Sequence, residues 1–518
     1  IQDCHVSSFY NTDNFYNSHI LKTGKVDGSV LRSYLKFTLP AIDNTSEMVT
    51  SAWFVAIRRP GGSDQRRIDI HRVTKDWNSK TVTWDNKPSY DAKVADYIAF
   101  SGSELTRLVF DITGVVKDWY ADGRNYGLMM KEHGEEEGTY NEYISSDDNL
   151  NDNTSTRPQI IIEYVSCAGL EDFWTYHQHE IGRAGTGYVN DYNGSQILVR
   201  PTYALSGSRA PISLSHVFGS SAKGADIGYG KGVRLNYHQT MVQTKIGSTD
   251  YYCQTDGDGT KRYFVQDKAD NKWKDELDQT RILTPNATTS PTRYTVTDKD
   301  GNKQHFYNGF LVKEEDASGN ALTILHNASK IVKLTDGSGR EVRLAYGSDG
   351  HLATLTDPAG RVTAFGYTNG FLTSVTDPDG AVSRYTYDTG KSLMLTAKDP
   401  YGYQVQYAYG SIAPYRVSKV TEYAGSTEGQ SLALAYGHNR TSFTDNKGRK
   451  EVYLFDNAGR TVSVRNDAGY GVSWQYLDTT KYKNRLSAAT DLRFVSPQYL
   501  RGVTGGITGT GWSRYTNA

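Results

Sequence analysis

A chain of 518 residues has room for several cores, and its formal net charge of -1, from 57 basic and 58 acidic side chains mixed along it, excludes the polyanion-steering field of a general nucleic-acid binder. Tyr outnumbers Phe by 38 to 16, and 50 Gly stand against 5 Met, a bias toward pleated strands and tight turns over helices. No run approaches the ~18 apolar residues of a membrane helix.

Residues 1–165 read as one unit of short strands. In Leu31-Arg32-Ser33-Tyr34-Leu35-Lys36-Phe37, alternation sends Leu31, Leu35 and Phe37 to one face and Arg32, Tyr34 and Lys36 to the other. Trp53-Phe54-Val55-Ala56-Ile57 is a buried strand, followed by a turn at Arg59-Pro60-Gly61-Gly62. A short helix is expected over residues 112–120, with Asp111 as cap and Val115, Val116 and Trp119 on one face. Arg157-Pro158-Gln159-Ile160-Ile161-Ile162-Glu163-Tyr164 closes the unit. Many short strands with little helix predict a β-sandwich of jelly-roll type. Cys4 and Cys167 bracket this unit and are a candidate pair across its ends, although three cysteines with Cys253 make no disulfide scaffold.

The segment Trp77-Asn78-Ser79-Lys80-Thr81-Val82-Thr83-Trp84-Asp85-Asn86-Lys87-Pro88 resembles the signature of DNRLRE-type modules, which are similar to a carbohydrate-binding-module family. The pairing of Phe110-Asp111-Ile112-Thr113 and Trp119 with Asn125-Tyr126-Gly127-Leu128 resembles it too. The namesake hexapeptide is absent as such, and residues 29–36 take its place.

Residues 166–296 lack a clean repeat. Gly185-Thr186-Gly187-Tyr188-Val189-Asn190, Ile212-Ser213-Leu214-Ser215-His216-Val217-Phe218 and Gly230-Lys231-Gly232-Val233-Arg234-Leu235-Asn236-Tyr237 read as strands between polar turns. The segment resembles the connector, or plug, that precedes the repeats of Rhs-type wall-associated proteins and helps to close one end of their shell.

From residue 297 to the end a period emerges. Thr335-Asp336, Thr356-Asp357, Thr376-Asp377 and Lys398-Asp399 each open a turn closed by Gly three residues after the Asp, at spacings of 21, 20 and 22 residues. Thr444-Asp445 and Asn466-Asp467 keep step, with Glu422 at the intervening Asp position and Asp298 and Asp316 as degenerate early members. Tyr346, Tyr367, Tyr387 and Tyr409 recur in phase. In Asp357-Pro358-Ala359-Gly360 the Asp suits position i of a type I turn, Pro presets φ at i+1 and Gly suits i+3, so each unit is a hairpin that stacks on its neighbours. This pattern is similar to the YD repeats of Rhs proteins and teneurins, and the resemblance implies part of a spiral β-shell. The Gly-rich stretch at residues 502–511 lacks the motif that ends an Rhs core, which points to a fragment of a longer protein.

Catalytic chemistry is not expected. No GxSxG or HExxH motif occurs, and the repeat aspartates are structural. His177-Gln178-His179-Glu180 is metal-like but reads as packing, and Asp256-Gly257-Asp258-Gly259 and Asp298-Lys299-Asp300-Gly301 fail as calcium loops and read as hairpin turns. Glu135-Glu136-Glu137 reads as a solvated loop. No metal or cofactor is implied. One binding site survives: Arg32, Tyr34 and Lys36 outward on their strand, with Arg58, Arg59, Arg66, Arg67, His71 and Arg72 nearby in sequence. Arginines and an aromatic platform can hold a polysaccharide, acidic or neutral, and the competing reading is an ordinary solvated basic face. Trp77 and Trp84 are assigned to the sandwich core.

Together with the resemblances, these residues imply an extracellular or wall-associated, non-enzymatic, all-β carrier. Its module would bind a cell-wall or other glycan, and its repeat shell would enclose a C-terminal toxin beyond residue 518. The alternatives are an adhesin without a toxin and a purely structural repeat protein.

Overall fold

Valine, threonine and tyrosine alternate with polar residues between Gly, Asn and Asp turns, and the chain folds accordingly into 57% strand and 4% helix. The computed structural model describes residues 1–42, 47–61, 66–101, 105–148, 156–222, 224–246, 249–287, 293–411, 415–437, 439–477, 486–491 and 514–516. The Gly-rich stretch at 502–511 and Gly62 of the expected turn lie outside them. Backbone contacts divide the chain into Ile1–Val165 and Ser166–Ala518.

The first unit contains β1 (Gln2–Ser7), β2 (Ile20–Val26), β3 (Ser29–Lys36), β4 (Glu47–Arg58), β5 (Arg66–Val73), β6 (Tyr90–Phe100), β7 (Thr106–Asp111), α1 (Thr113–Asp122), β8 (Leu128–Glu132), β9 (Thr139–Ile144) and β10 (Gln159–Ser166). The main hydrogen-bonded path runs β10-β4-β9-β2-β3-β8-β5-β6, with β1 on β3 and β7 on β4. One core gathers Leu35, Phe54, Ile70, Phe110, Met130 and Tyr143 beneath Val116 and Trp119 of α1. A second gathers Cys4, Val6, Tyr34, Val73, Val82 and Met129, flanked by Trp77 and Trp84. Adjacent residues on β3 and β8 therefore enter opposite cores, so both strands are buried on both faces. Asn14 clamps the tryptophan segment down, its Nδ2 donating to the carbonyls of Ser79 (2.8 Å) and Val82 (2.6 Å).

Helix α1 starts where expected, although Asp111 acts one residue before the cap position: its Oδ1 accepts the Thr113 N–H at 2.9 Å. Gly123 ends the helix at φ 70, a left-handed conformation that costs a side-chain-bearing residue more.

In the second unit, β11 (Tyr176–Glu180), β12 (Thr186–Asn190), β13 (Gln196–Ala204), β14 (Ser213–Gly219) and β15 (Val233–Leu235) form an antiparallel sheet in chain order. A 25-stranded antiparallel meander follows. Its first strand, Thr240–Ile246, pairs with the second and also, at Thr240, with Phe310 of strand Phe310–Glu315. Met241 N–H donates to Gly309 O at 2.9 Å and Leu311 N–H to Gln239 O at 3.1 Å across this seam. Eight strands thus close on themselves and the sheet runs on, the first turn of a spiral.

The five-stranded sheet packs its Val189, Leu198 and Phe218 into the core of the repeats, among Leu334, Leu355 and Val375. Main-chain bonds reinforce the contact, from Gly337 to Arg209, Leu352 to Gly228, Lys231 to Gly370 and Val417 to Gly194, at 2.8–3.0 Å. Trp174 Nε1 reaches Ala458 O at 3.0 Å.

Most of the described repeat turns are held by their aspartate, whereas Asp377 gives its carboxylate to Arg200 and Arg183, and Asn466, not Asp467, accepts the N–H groups of Ala468 and Tyr470 in its turn. Asp357 Oδ1 accepts the N–H groups of Ala359 (2.9 Å) and Arg361 (2.8 Å), while Oδ2 accepts Arg361 Nε at 2.7 Å. Asp336–Arg340, Asp445–Arg449 and Asp456–Arg460 repeat the arrangement. Asp298 and Asp316, expected as degenerate, make the same turn with Asn302 and Asn320 in place of arginine. Glu422 is a correction: it lies within strand Val417–Ala424, opposite Val405, and opens no turn. The phased tyrosines explain themselves as stitches. Tyr346, Tyr387 and Tyr409 each donate a hydroxyl to the carbonyl 15 residues earlier, on Ile331 (2.9 Å), Leu372 (3.0 Å) and Met394 (2.7 Å). All three cysteines are buried and none forms a disulfide, so the candidate Cys4–Cys167 pair does not form.

Candidate glycan-binding site

The alternation read into β3 holds, yet its second face is a core and not a surface. Tyr34 is 0% exposed, beside Cys4 of the paired strand β1 and edge-on to Trp77 at 5.8 Å. It offers no platform to a sugar. Burial on both sides results from the tryptophan segment folding back over β3, a long-range contact that local periodicity does not encode.

The remaining expected residues are likewise occupied and separated. Arg32 donates from Nε and Nη2 to Glu135 at 2.6 and 2.9 Å, with its guanidinium 5.2 Å from the Trp84 ring and 5.7 Å from Tyr90. Glu135, read as solvated, is thus a half-buried anchor for the cations Arg32 and Lys131, while Glu136 and Glu137 are exposed. Lys36 pairs with Asp76 at 2.6 Å. Arg58 is 0% exposed, bonded to Asn141 Oδ1 at 2.7 Å over the ring of Phe100. Arg59 is half-buried beside it, and Arg66 is half-buried with Nη2 at 3.4 Å from Gly138 O. Arg67 lies over Tyr97 and pairs with Asp69. His71 is buried with Nδ1 on Asp91 O at 2.8 Å, and Arg72 is shared by Asp118 and Asp122. Between Arg32 on β3 and Arg58 on β4 stand β2 and β9, and β8 separates β3 from β5. The expected basic patch is not one surface.

A groove of about 410 Å³ lies elsewhere in the same unit. Its floor comes from β1, β2 and β3, and its rim from the loop after β1, where Phe9 is 68% and Tyr10 54% exposed. Serine hydroxyls fix that loop: Ser7 Oγ and Ser29 Oγ meet at 2.7 Å, Phe9 N–H donates to Ser29 Oγ and Tyr10 N–H to Ser7 Oγ at 3.3 Å each, and Val30 N–H donates to Ser8 Oγ at 2.8 Å. His5 lines the floor, 4% exposed and stacked on Phe15 at 4.5 Å. Burial, reinforced by the Lys22 charge and opposed by a bond to the Ile20 carbonyl, lowers its pKa to about 4, so the imidazole is neutral at pH 7. Sequence reasoning missed this groove. Its signal was the doubled Phe9-Tyr10-Asn11 and Phe15-Tyr16-Asn17, four aromatics in a turn-rich stretch that no strand pattern needs.

In the second unit a cavity of about 510 Å³ is lined by Arg183, Arg200 and Arg361, each already paired with Asp379, Asp377 or Asp357. His177 stacks on Phe443 at 4.2 Å and bonds Asp191, while His179 is buried beside Tyr407, so both pack against the repeats. Asp256–Gly259 and Asp298–Gly301 are hairpin turns. Among the described residues no group of three or more His, Cys, Asp or Glu is placed to hold a metal ion.

Comparison with known proteins assigns each unit a likeness. Residues 1–164 match Carbohydrate-binding module family 96, and residues 366–405 match the RHS Repeat. A tRNA3(Ser)-specific nuclease WapA of Bacillus spizizenii is 25% identical over 202 residues, and a tRNA nuclease WapA of Bacillus subtilis (strain 168) is 26% identical over 203. Each match covers 36% of this chain and 8% of the relative, so the chain spans a small part of those proteins. Among solved structures, the Photorhabdus luminescens Tc holotoxin pore aligns at TM-score 0.25 and 9% identity, over 58% of this chain and 21% of that one. TcdB2-TccC3 without its hypervariable C-terminal region aligns at TM-score 0.24 and 11% identity, over 64% and 23%. The chain joins a first domain of the carbohydrate-binding-module type to an Rhs/YD-repeat array.

Proposed function

We propose that this chain is a non-enzymatic extracellular carrier, in which residues 1–165 bind a glycan and the repeats form the wall of a shell for a C-terminal toxin encoded beyond residue 518. The observation that carries the shell reading is the single apolar core shared by the five-stranded sheet and the repeats, from Val189 and Phe218 through to Phe443. A spacer needs no plug, whereas a container needs a closed end, and a sheet welded to successive repeats supplies one. The match of residues 1–164 to a carbohydrate-binding module supports the glycan partner. The toxin is inferred from the WapA relatives, which are named as tRNA nucleases and extend far beyond the matched region.

Two experiments test the reading. Affinity electrophoresis of the whole chain through gels containing neutral or acidic polysaccharides is expected to show retardation by at least one, and free migration in all would overturn the glycan-binding role. Reading the open frame to its stop codon is expected to show a C-terminal domain with catalytic motifs. A wall-sorting tail there would make the protein an adhesin.

A further inference from the structure

The loop between β14 and β15 lies on two repeat turns, with Lys231 N–H donating to Gly370 O at 2.8 Å and Leu352 N–H donating to Gly228 O at 2.9 Å. Gly224, Gly228, Gly230 and Gly232 all take positive φ, so the loop's own backbone imposes little shape and its anchors decide where it sits. One anchor is a side chain. Asp226 Oδ1 accepts Gly228 N–H at 3.0 Å and so folds the loop, while its Oδ2 meets His351 Nε2 at 2.8 Å across 125 residues. The other ring nitrogen, Nδ1, lies 2.9 Å from Asp349 Oδ2 in the repeat turn. The imidazole stacks on Tyr367, with ring centroids 4.6 Å apart.

A neutral imidazole has one N–H and one bare nitrogen, so it donates to one of these carboxylates and turns a lone pair toward the other. Only the imidazolium satisfies both contacts. Burial opposes the charge, with the side chain 15% exposed, but the bonds to Asp226 and Asp349 outweigh it and raise the His351 pKa above the ordinary imidazole value. The same ring holds Asp349 below the usual carboxylate range. Of the other charged groups around the loop, Lys330 donates to Gly350 O at 2.7 Å, Lys231 lies over the Phe371 ring, and Arg234 follows in β15. Burial lowers the pKa of His238, edge-on to Tyr229, to about 4, and it lowers that of the adjacent His326 as well. Burial also raises the hydroxyls of Tyr229, to about 12, and of Tyr346 and Tyr367, so these three keep their protons.

We propose that His351 is a pH-sensitive latch: its imidazolium grips Asp226 and Asp349 together and fastens the β14–β15 loop to the repeat wall, and loss of its proton slackens that fastening. By linkage, a group whose pKa is higher folded than unfolded contributes fully below the unfolded value, ~6.5, and the contribution is lost as pH rises through the folded one. The loop is therefore held tightest in acid. Two main-chain bonds still hold it when the latch is slack, so it opens more often without departing, and their donors, the Lys231 and Leu352 N–H groups, report each opening.

Amide exchange of the whole chain, read by mass spectrometry at about pH 6 and about pH 9 and corrected for its intrinsic pH dependence, tests the latch. Protection over residues 224–232 and 347–352 is expected to fall about 3- to 10-fold at the higher pH, while the turn at 357–360 keeps its own. In His351→Gln, which cannot titrate, both segments should be equally protected at the two pH values, near the parent's high-pH level. The fall should shrink in Asp226→Asn, which leaves the ring one carboxylate and keeps the shape of the other. Circular dichroism matching the parent chain guards both variants. A fall that persists in His351→Gln, or one shared by the turn at 357–360, overturns the latch, as does equal protection of the parent at both pH values. An undiminished fall in Asp226→Asn overturns the grip on the loop and confines the titration to the repeat turn.

Discussion

Both units hold charged side chains in ion pairs, but they do it over different distances along the chain. In four of the repeat turns the aspartate finds its arginine four residues on, at 336–340, 357–361, 445–449 and 456–460. In the first unit Arg32 meets Glu135 across 103 residues and Arg58 meets Asn141 across 83. A repeat therefore carries its own instructions, and losing one pair is a local event. The module assembles its polar contacts only once its strands are in place, so a single loss is felt across several of them.

The largest expected effect tests that contrast. Glu135→Ala leaves Arg32 and Lys131 without their common carboxylate in a setting where Arg32 and Glu135 are each 15% exposed, and it should cost about 2–3 kcal/mol. Amide exchange is expected to accelerate on β3 and β8 together. In contrast, Asp357→Ala should cost about 1–2 kcal/mol and raise exchange only in the hairpin of strands Leu352–Thr356 and Val362–Thr368. Protection lost over several hairpins would break the comparison.

A smaller effect is expected from Glu171, whose pKa burial raises to about 7 against the pull of Arg262. An acid with a raised folded pKa binds more protons folded than unfolded between pH ~4.5 and 7, so its contribution to stability falls as pH rises through that window. Glu171→Gln removes that penalty, and its stability relative to the parent should grow by on the order of 1 kcal/mol from pH 5 to pH 8. Denaturant titrations at the two pH values read the difference, and a constant offset would refute it. The smallest effect separates two tyrosines of one phase. Tyr387→Phe leaves the Leu372 carbonyl without its donor and should cost about 1 kcal/mol, whereas the Tyr367 hydroxyl has no hydrogen-bond partner and Tyr367→Phe should be nearly neutral. Equal losses would mean that the stitch is not what the phased hydroxyls contribute.

The same contrast explains what could be read from the sequence. Asp357-Pro358-Ala359-Gly360 and its sisters were legible because the turn's donors and acceptors lie within five residues, and the Tyr phase followed from stacking identical hairpins. The helix was legible from Val115, Val116 and Trp119. Leu31 and Leu35 were assigned inward correctly, but Tyr34 was not outward, because Val82 and Trp77, more than 40 residues on, cover it. Glu422 was misread for a related reason: spacing alone put it at a turn, whereas strand Val417–Ala424 runs two residues further and turns at Gly425 before strand Thr427–Gly437. The groove escaped because its parts belong to β1, β2, β3, β9 and a loop, and only Phe9, Tyr10, Phe15 and Tyr16 announce themselves locally.

The seam at Thr240 and the bonds from the five-stranded sheet together decide where this wall can change length in evolution. A hairpin inserted or deleted between Gly337 and Ala458 would shift every later repeat against Gly194, Gly228, Lys231 or Trp174, and those contacts would fall out of register. Among the described residues beyond Thr461, whose Oγ1 meets that of Thr175 at 2.8 Å, none bonds to these fixed partners, and a hairpin can be gained or lost there at the cost of its own two strands. Variation in repeat number among related chains should therefore gather after that point, while the earlier repeats keep their count.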